Sequence, residues 1–337
     1  MPTVSVVMPS YNHEKYVGEA IESVLGQTLQ DFEFVIADDG SSDSTVFEIK
    51  KFEDPRIKLF CFPKNMGADV AANHCISVAK GKYIAMLSSD DVFMSNKLEE
   101  QVSYLEDHPE IGMAFSHAET VDERGNSKEH FYSTMFDKVN RSRHEWVNYF
   151  FYNGNCLCHT SMLVRKSVFE DIGLYNPCYA QLSDFDFWIR ASMKYELHIH
   201  DKKLTKLRIR DGEMNASGDR VENKIRAEWE YKHIIRNFFD IRSVDELLKI
   251  FPGLKNKYTE FTEALIPYYV ARLCLETRSH YHAFSALEVL YDLLQNSPDA
   301  LREKVNFSYP DFFDLVVSAD VFHQLAIRKL NDLMRNA

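Results

Sequence analysis

Strand-like and helix-like segments alternate from Thr3 to Asp107, and this alternation constrains the fold more than any other feature of the chain. Short runs of β-branched and aromatic residues are separated by runs whose apolar residues recur at helical spacing. This order is typical of an α/β fold, a mostly parallel sheet with helices on its faces. The predicted strands are Thr3–Met8, Glu33–Asp38, Ile57–Phe62 and Lys82–Leu87, and the predicted helices are one after Asn12, Ser44–Phe52, Gly67–Ala79 and Asn96–Asp107.

The first predicted helix begins with a capping residue and has one apolar face. Asn12 is the predicted N-cap, because its short polar side chain can accept a hydrogen bond from the first turn. Apolar residues then recur at i, i+3, i+4, i+7 and i+8, which predicts one buried face. The residues of this face are Val17, Ala20, Ile21, Val24 and Leu25.

Polar residues follow three of the predicted strands, at Tyr11, Asp39 and Asp90. In open sheets of this kind, ligands bind outside the carboxyl ends of the strands. Asp39 begins the run Asp-Gly-Ser-Ser-Asp, where its carboxylate could accept a hydrogen bond from a nucleotide base and Gly40 would permit a tight turn. An ordinary turn that caps the next helix would have the same composition, and the residues alone leave both interpretations open.

Asp90 and Asp91 are adjacent acids at the end of a strand that is otherwise apolar. Two carboxylates in a partly buried position repel each other unless a cation compensates them. Mg²⁺ or Mn²⁺ bound through one or two carboxylates and substrate phosphates would meet that need. The alternative is a solvated loop before the helix that begins near Asn96.

Asp184 opens a segment in which Phe185, Trp188 and Ile189 share one side of a predicted helix. A carboxylate beside aromatic surface is partly desolvated and is suited to accept a proton as a general base. We also predict that Trp188 contacts the substrate. The alternative is an acidic N-cap on an amphipathic helix.

The second half of the chain is less regular. Its predicted strands are Gly112–His117, Ser161–Val164 and Leu197–His200, with a hairpin turn at Asp122–Asn126. From about residue 220 the pattern is helical. We therefore predict one domain over residues 1–219, in two halves at about 1–117 and 118–219, followed by a helical region over 220–337.

Composition excludes several classes of protein. The 337 residues are 45% apolar, so extensive disorder is not expected. The net charge is −12 and no long run of Lys or Arg occurs, which argues against a nucleic-acid-binding groove. The six cysteines fit no disulfide framework, no signal peptide is recognised, and no stretch of about 18 apolar residues predicts a membrane span. A cytoplasmic protein is expected, either free or at the inner face of a membrane.

Five motifs in this order resemble glycosyltransferase family 2, whose members have the GT-A fold. They are Val6–Asn12, Ala37–Asp43, Asn65–Gly67, Ser89–Asp91 and Ser183–Arg190, and the resemblance covers roughly residues 1–217. It implies an inverting enzyme that moves a sugar from a nucleoside-diphosphate donor, with UDP favoured, to a hydroxyl acceptor such as a glycan. A role in polysaccharide biosynthesis would fit. The resemblance also implies that residues 1–117 form the donor half and residues 118–219 the acceptor half. The helical region over 220–337, which it does not cover, is predicted to serve acceptor placement or self-association.

The resemblance also implies roles for single residues. Pro9 and Tyr11 would form the wall of the base pocket, and Asp39 would accept from the base N–H. Gly67 would let the backbone approach the nucleotide, and Asp90 would hold the ribose and the metal. The remaining implied roles are metal ligation for Asp91 and general-base catalysis for Asp184.

The sequence departs from the family pattern at Ser88, Ala72, Ser183 and Arg210, where an acid, an arginine, a glutamate and a metal-binding histidine are common. We predict that Arg208 and Arg210, two residues apart on a strand-like run, face the same side and bind the donor diphosphate. The alternative for these arginines is an ion pair with Asp211 or Glu213. For the whole chain, it is a sugar-nucleotide-binding or partner-binding module with impaired catalysis.

Overall fold

The alternating segments form one eight-stranded sheet in a computed structural model that describes residues 1–215 and 217–335. The order of the strands across the sheet is β3-β2-β1-β4-β7-β6-β8-β5. Their bounds are β1 Val4–Ser10, β2 Phe32–Asp38, β3 Ile57–Cys61, β4 Tyr83–Met86, β5 Val92–Phe93, β6 Ile111–Val121, β7 Leu163–Arg165 and β8 Glu196–Arg208.

The sheet is parallel in its first half and mixed in its second. Strands β3, β2, β1 and β4 are parallel neighbours, as predicted. Strand β7 then runs antiparallel to both β4 and β6, β8 is parallel to β6, and β5 is antiparallel to β8. The α/β fold class is confirmed, but "mostly parallel" describes only the first half, because the direction of a strand depends on the path of its connections and not on its own residues.

Eight helices of the described chain precede the C-terminal region. Helices α1, α3 and α4 are close to the predicted ranges, whereas α5, α6 and α7 were not predicted. Their bounds are α1 Val17–Leu25, α2 Thr45–Ile49, α3 Ala68–Val78, α4 Lys97–Asp107, α5 Phe131–Met135, α6 Arg143–Asn153, α7 Lys166–Ile172 and α8 Ser183–Ser192.

The predicted buried face of α1 is confirmed, and it packs in the core beside β1 and β2. Four of its five residues, Val17, Ala20, Ile21 and Val24, have no exposed surface. The predicted N-cap is wrong, because α1 begins later, after Tyr16. Asn12 instead has a positive φ of 51° and accepts a hydrogen bond from Ser42 N at 2.9 Å, so it joins two loops.

The chain divides into two compact units between Ala227 and Glu228, within α9. The predicted boundary after residue 219 lies a few residues upstream, and the predicted donor and acceptor halves stay a prediction. The second unit has its own core, in which Tyr268 and Tyr269 are buried. The helices from α9, which contains the boundary, to the end of the described chain are α9 Val221–Ile234, α10 Val244–Ile250, α11 Ile266–Glu276, α12 His280–Asn296, α13 Pro298–Val305, α14 Tyr309–Ala319 and α15 Gln324–Arg335.

No helix within the described ranges is long and apolar enough to cross a membrane.

Candidate active site

Strands β1 and β2 end side by side, and the loops that follow them are joined through Asp39. Ser10 is the register partner of Asp38, and Asp39 N donates to Ser10 O at 2.8 Å. The buried carboxylate of Asp39 accepts from Met66 N at 2.6 Å and from Gly67 N at 2.9 Å. Each oxygen keeps acceptor capacity for one more donor, so binding of a base N–H remains a prediction.

Two glycines fit this region for different reasons. Gly40 has φ +72°, and a Cβ there would lie 2.5 Å from the carbonyl carbon of Lys64, so a side chain has no room. Gly67 has φ +102°, but a Cβ there would meet no atom of the described chain within 4 Å. The side of Gly67 is therefore open, as the approach of a ligand to the backbone requires.

Pro9 and Tyr11 lie at the end of β1. Pro9 is half-buried, whereas Tyr11 exposes 43% of its surface. An exposed aromatic ring is suited to stack against a planar ligand. Their assignment to the wall of a base pocket stays a prediction.

Asp90 and Asp91 follow β4 in a tight turn, where Asp91 N donates to Ser88 O at 3.0 Å. Both acids are buried, and Asp91 Oδ1 accepts from Arg208 N at 2.8 Å. Burial and then the neighbouring charge of Asp90 raise the pKa of Asp91 well above its ordinary value. A buried acid with a raised pKa is typical of a functional site.

The position of Arg208 differs from the predicted one, because its guanidinium is buried. It is 1% exposed, and its Nε donates to Asp90 O at 2.8 Å, while Nη1 donates to Asp122 O and Glu123 O, each at 3.0 Å. Its Nη2 pairs with the Glu19 carboxylate. The guanidinium thus lies beneath the acid loop and fastens it to the turn after β6. These contacts oppose the predicted role as a diphosphate ligand and indicate a positioning role instead.

Arg210 lies beside the carboxylate of Asp90, with its Nε 3.4 Å from Asp90 Oδ2. Its Nη1 is 2.9 Å from His13 Nε2, and its Nη2 donates to Met214 O. The Nε is buried and makes no hydrogen bond with any described residue. Asp90 is the acidic partner of Arg210, and Asp211 pairs with Lys128 instead. The side chain of Glu213, the other alternative partner, lies outside the part of the chain that the structure describes.

His13 is the residue of this cluster that the sequence did not single out. Its Nδ1 lies 2.8 Å from Ser89 Oγ. A guanidinium can only donate, so His13 Nε2 must accept from Arg210, and the ring proton is then on Nδ1, facing Ser89. Burial is the largest influence on His13 and lowers its pKa, in agreement with a neutral ring. The only available signal was its place in the loop after β1.

The described residues contain no group of three or more His, Cys, Asp or Glu side chains arranged to hold a metal ion. Asp90 and Asp91 stay the candidate protein ligands. A hard divalent cation that keeps several waters and binds phosphate oxygens needs only one or two carboxylates, so this pair of acids fits such an ion.

Asp184 is half-buried in the first turn of α8. Its Oδ1 accepts from Phe185 N at 2.6 Å, and its Oδ2 accepts from Asn155 Nδ2 at 3.1 Å. Ser183 Oγ donates to Asp69 Oδ1 at 2.8 Å, which joins the start of α8 to the first turn of α3. Since α3 begins directly after Gly67, Asp184 lies on the side of the molecule where the loops after β1 and β2 meet.

Trp188 was predicted to contact the substrate, and this is wrong. Its side chain has no exposed surface and packs edge-on against Phe115, with ring centroids 4.9 Å apart. His159 is also in contact, at 5.7 Å. Its side chain therefore packs in the core and stabilises the position of α8 rather than facing a ligand.

Comparisons with known proteins agree with the resemblance seen in the sequence. The model of glycosyl transferase family 2 matches residues 5–173. An uncharacterized glycosyltransferase of Methanocaldococcus jannaschii is 30% identical over 286 residues, covering 77% of this chain and 96% of the relative. The UDP-Glc:α-D-GlcNAc-diphosphoundecaprenol β-1,3-glucosyltransferase WfgD of Escherichia coli is 45% identical over 102 residues, covering 30% of this chain and 40% of the relative.

Solved structures show the same fold. Residues 1–349 of Staphylococcus aureus TarS, in complex with UDP-GlcNAc, superpose with a TM-score of 0.60 at 18% identity, covering 96% of this chain and 92% of that one. The mannosyltransferase PcManGT of Pyrobaculum calidifontis, in complex with GDP-Man and Mn²⁺, gives 0.53 at 16% identity, covering 98% and 88%. The likeness to TarS includes the C-terminal helices, which the motifs did not reach.

Proposed function

The chain belongs to glycosyltransferase family 2, and we propose that this glycosyltransferase moves a sugar from a UDP-sugar to a glycan hydroxyl with inversion at the anomeric carbon. The observation that carries the proposal is the grouping of acids in the loops that follow β2 and β4, on either side of the end of β1. Asp39, Asp90 and Asp91 are all buried there, in loops that the chain's own backbone donors and Arg208 hold in place. Departures from the family pattern leave all three acids intact.

Donor binding would use the open side of these loops. Tyr11 would stack on the base, Asp39 would accept its N–H, and the backbone at Gly67 would lie against the nucleotide. Asp90 would hold the ribose hydroxyls. Support comes from the exposed ring of Tyr11, the remaining acceptor capacity of Asp39 and the open space beside Gly67.

Asp184 would act as the general base. Its carboxylate would take the proton of the acceptor hydroxyl as that oxygen attacks the anomeric carbon from the face opposite the diphosphate. A single displacement of this kind inverts the anomeric centre and needs no enzyme nucleophile. The hydrogen bonds from Asn155 and Phe185 orient the carboxylate before the acceptor arrives.

Asp91, together with Asp90, would hold a divalent metal, Mn²⁺ or Mg²⁺. When bound, such an ion stabilises the negative charge that develops on a leaving diphosphate. Arg208 would keep the acid loop in position through the carbonyl of Asp90 and the backbone N–H that it donates to Asp91. The protein's own contribution is therefore a rigid pair of acids, assembled before the donor binds.

UDP is the nucleotide expected in the sugar donor, and its binding tests the proposed role of Asp39. A carboxylate at Asp39 favours bases that present an N–H donor, as uracil does, over cytosine, which presents an acceptor nitrogen. The relative WfgD is named as using UDP-Glc, and this supports the choice. We expect calorimetry with Mn²⁺ to show UDP binding about tenfold or more tighter than CDP, the scale of one charge-assisted hydrogen bond.

The same calorimetry should include GDP, because guanine also presents an N–H donor but is larger than uracil. Tighter binding of CDP or GDP would contradict the role of Asp39. Release of UDP from a UDP-sugar by the purified protein, even with water as acceptor, would show that the bound donor is also turned over. A protein that binds UDP-sugar and never releases UDP would refute the proposed reaction.

Arg210 would bind the donor diphosphate in place of the histidine common at this position. Support comes from its place beside the acid loop, with Nε 3.4 Å from Asp90 Oδ2 and Nη1 2.9 Å from His13 Nε2. We expect Arg210→Ala to weaken UDP binding by about 1.5 to 3 kcal/mol, roughly 10- to 150-fold in Kd. Uridine, which lacks the diphosphate, is the control and should bind as to the wild type. Equal losses for UDP and uridine, or none for either, would remove Arg210 from the site.

A further inference from the structure

The last helix, α15, has an apolar side that no part of the described chain covers. Every residue of Gln324–Arg335 is exposed. At about 100° per residue, five apolar residues fall within an arc of about 120°, about a third of the helix surface. These residues are Ala326, Ile327, Leu330, Leu333 and Met334.

The exposure of this side is large for residues of its kind. Leu330, Leu333 and Met334 expose 58%, 69% and 63% of their surface. On the preceding helix, Phe313 and Val317 also expose 61% and 72% of their surface. A group of exposed apolar side chains on one side of a helix is typical of an interaction surface.

The charges on α15 indicate what this surface binds. Outside the apolar arc the helix carries Arg328, Lys329 and Arg335 against the single acid Asp332, so its net charge is +2. The whole chain has a net charge of −12. A short helix with one apolar side and a basic opposite side, in an otherwise acidic protein, is typical of helices that lie in the plane of a membrane interface.

We propose that α15 docks on an anionic phospholipid surface, with its apolar arc in the headgroup and acyl boundary. Lys329 borders the arc, so its aliphatic stem can pack at the boundary while its ammonium reaches the phosphates. Arg328 and Arg335 add attraction to a negative leaflet. This docking involves only residues of the second unit and does not depend on which sugar nucleotide the enzyme uses.

A second copy of the chain is a less suitable occupant. A 12-residue helix is about 18 Å long and about 10 Å wide, a strip of roughly 180 Å², whereas stable interfaces bury about 800 Å² on each partner. Pairing two copies of α15 would also bring together two helices of net charge +2, which repel each other. An anionic surface removes both difficulties.

The test is flotation of the full-length protein with vesicles, using phosphatidylglycerol mixed with phosphatidylcholine and, separately, phosphatidylcholine alone. We expect binding to the anionic vesicles, weaker binding at high salt and little binding to the neutral ones. Leu330→Glu should lower the partition coefficient about tenfold or more, because burial of one leucine is lost.

Leu325→Glu is the matched control, because Leu325 lies on the same helix, outside the apolar arc, and exposes 60% against 58% for Leu330. It should retain most of the binding, and both variants should bind UDP and melt as the wild type does. Absence of wild-type binding to anionic vesicles, or equal binding by the two variants, would overturn the proposal. A dimer in ultracentrifugation that Leu330→Glu disrupts, without vesicle binding, would assign this side to a second copy instead.

Discussion

Replacing Asp184 by asparagine should lower sugar transfer by about 10²- to 10⁴-fold and leave donor binding unchanged. The range is that of a general base, since an amide cannot take up a proton at neutral pH. Its oxygen can still accept from Phe185 N, so the start of α8 should keep its geometry. Initial rates with donor and acceptor, together with calorimetry of UDP binding, measure the two effects separately.

Asp186→Asn is the matched control for this variant. Asp186 lies in the same turn of α8, but its carboxylate pairs with Arg190 at 2.8 Å and its side chain is 7% exposed. The amide oxygen can still accept from Arg190, so we expect some loss of stability and transfer within a few-fold of the wild type. If Asp184→Asn transferred sugar as fast as Asp186→Asn, Asp184 would not be the base.

The parts of the fold that the sequence predicted are those that local patterns determine. Strand β2 and helix α4 were predicted almost to the residue because each has a single period of apolar residues and clear flanking polar residues. Strand β5 has only two residues, Val92 and Phe93, and exists because they pair with β8. A partner more than a hundred residues away leaves no trace in a local window.

The two arginines show the same limit within the site. The alternation along a strand predicted that Arg208 and Arg210 face the same side, and both contact Asp90. The alternation could not predict how deeply each side chain is buried. Arg208 lies within β8, under the acid loop, whereas Arg210 lies beyond the end of the strand, beside the carboxylate. His13 was missed for a related reason, since its contact with Arg210 spans 197 positions of the chain.

Asp91→Asn should lower transfer by about 10²- to 10³-fold without weakening the fold. The loss is on the scale of removing one group that stabilises developing charge. In the free protein, by contrast, Asp91 is buried next to Asp90, and Oδ1 of an asparagine could still accept from Arg208 N. Removing one of two adjacent buried charges should leave the melting temperature unchanged or raise it, because the repulsion is relieved.

Thermal melts with and without UDP and Mn²⁺ separate these effects. The wild type should gain stability from the two ligands together, since binding to the folded state raises its apparent stability. Asp91→Asn should gain much less, while Asp186→Asn should gain as much as the wild type. A variant that is more stable without ligands, yet inactive, would show that this acid pair is maintained at the cost of stability, as is common at sites shaped for function. A variant that unfolds at lower temperature and keeps its response to Mn²⁺ would instead make Asp91 a structural acid, held for its bond to Arg208.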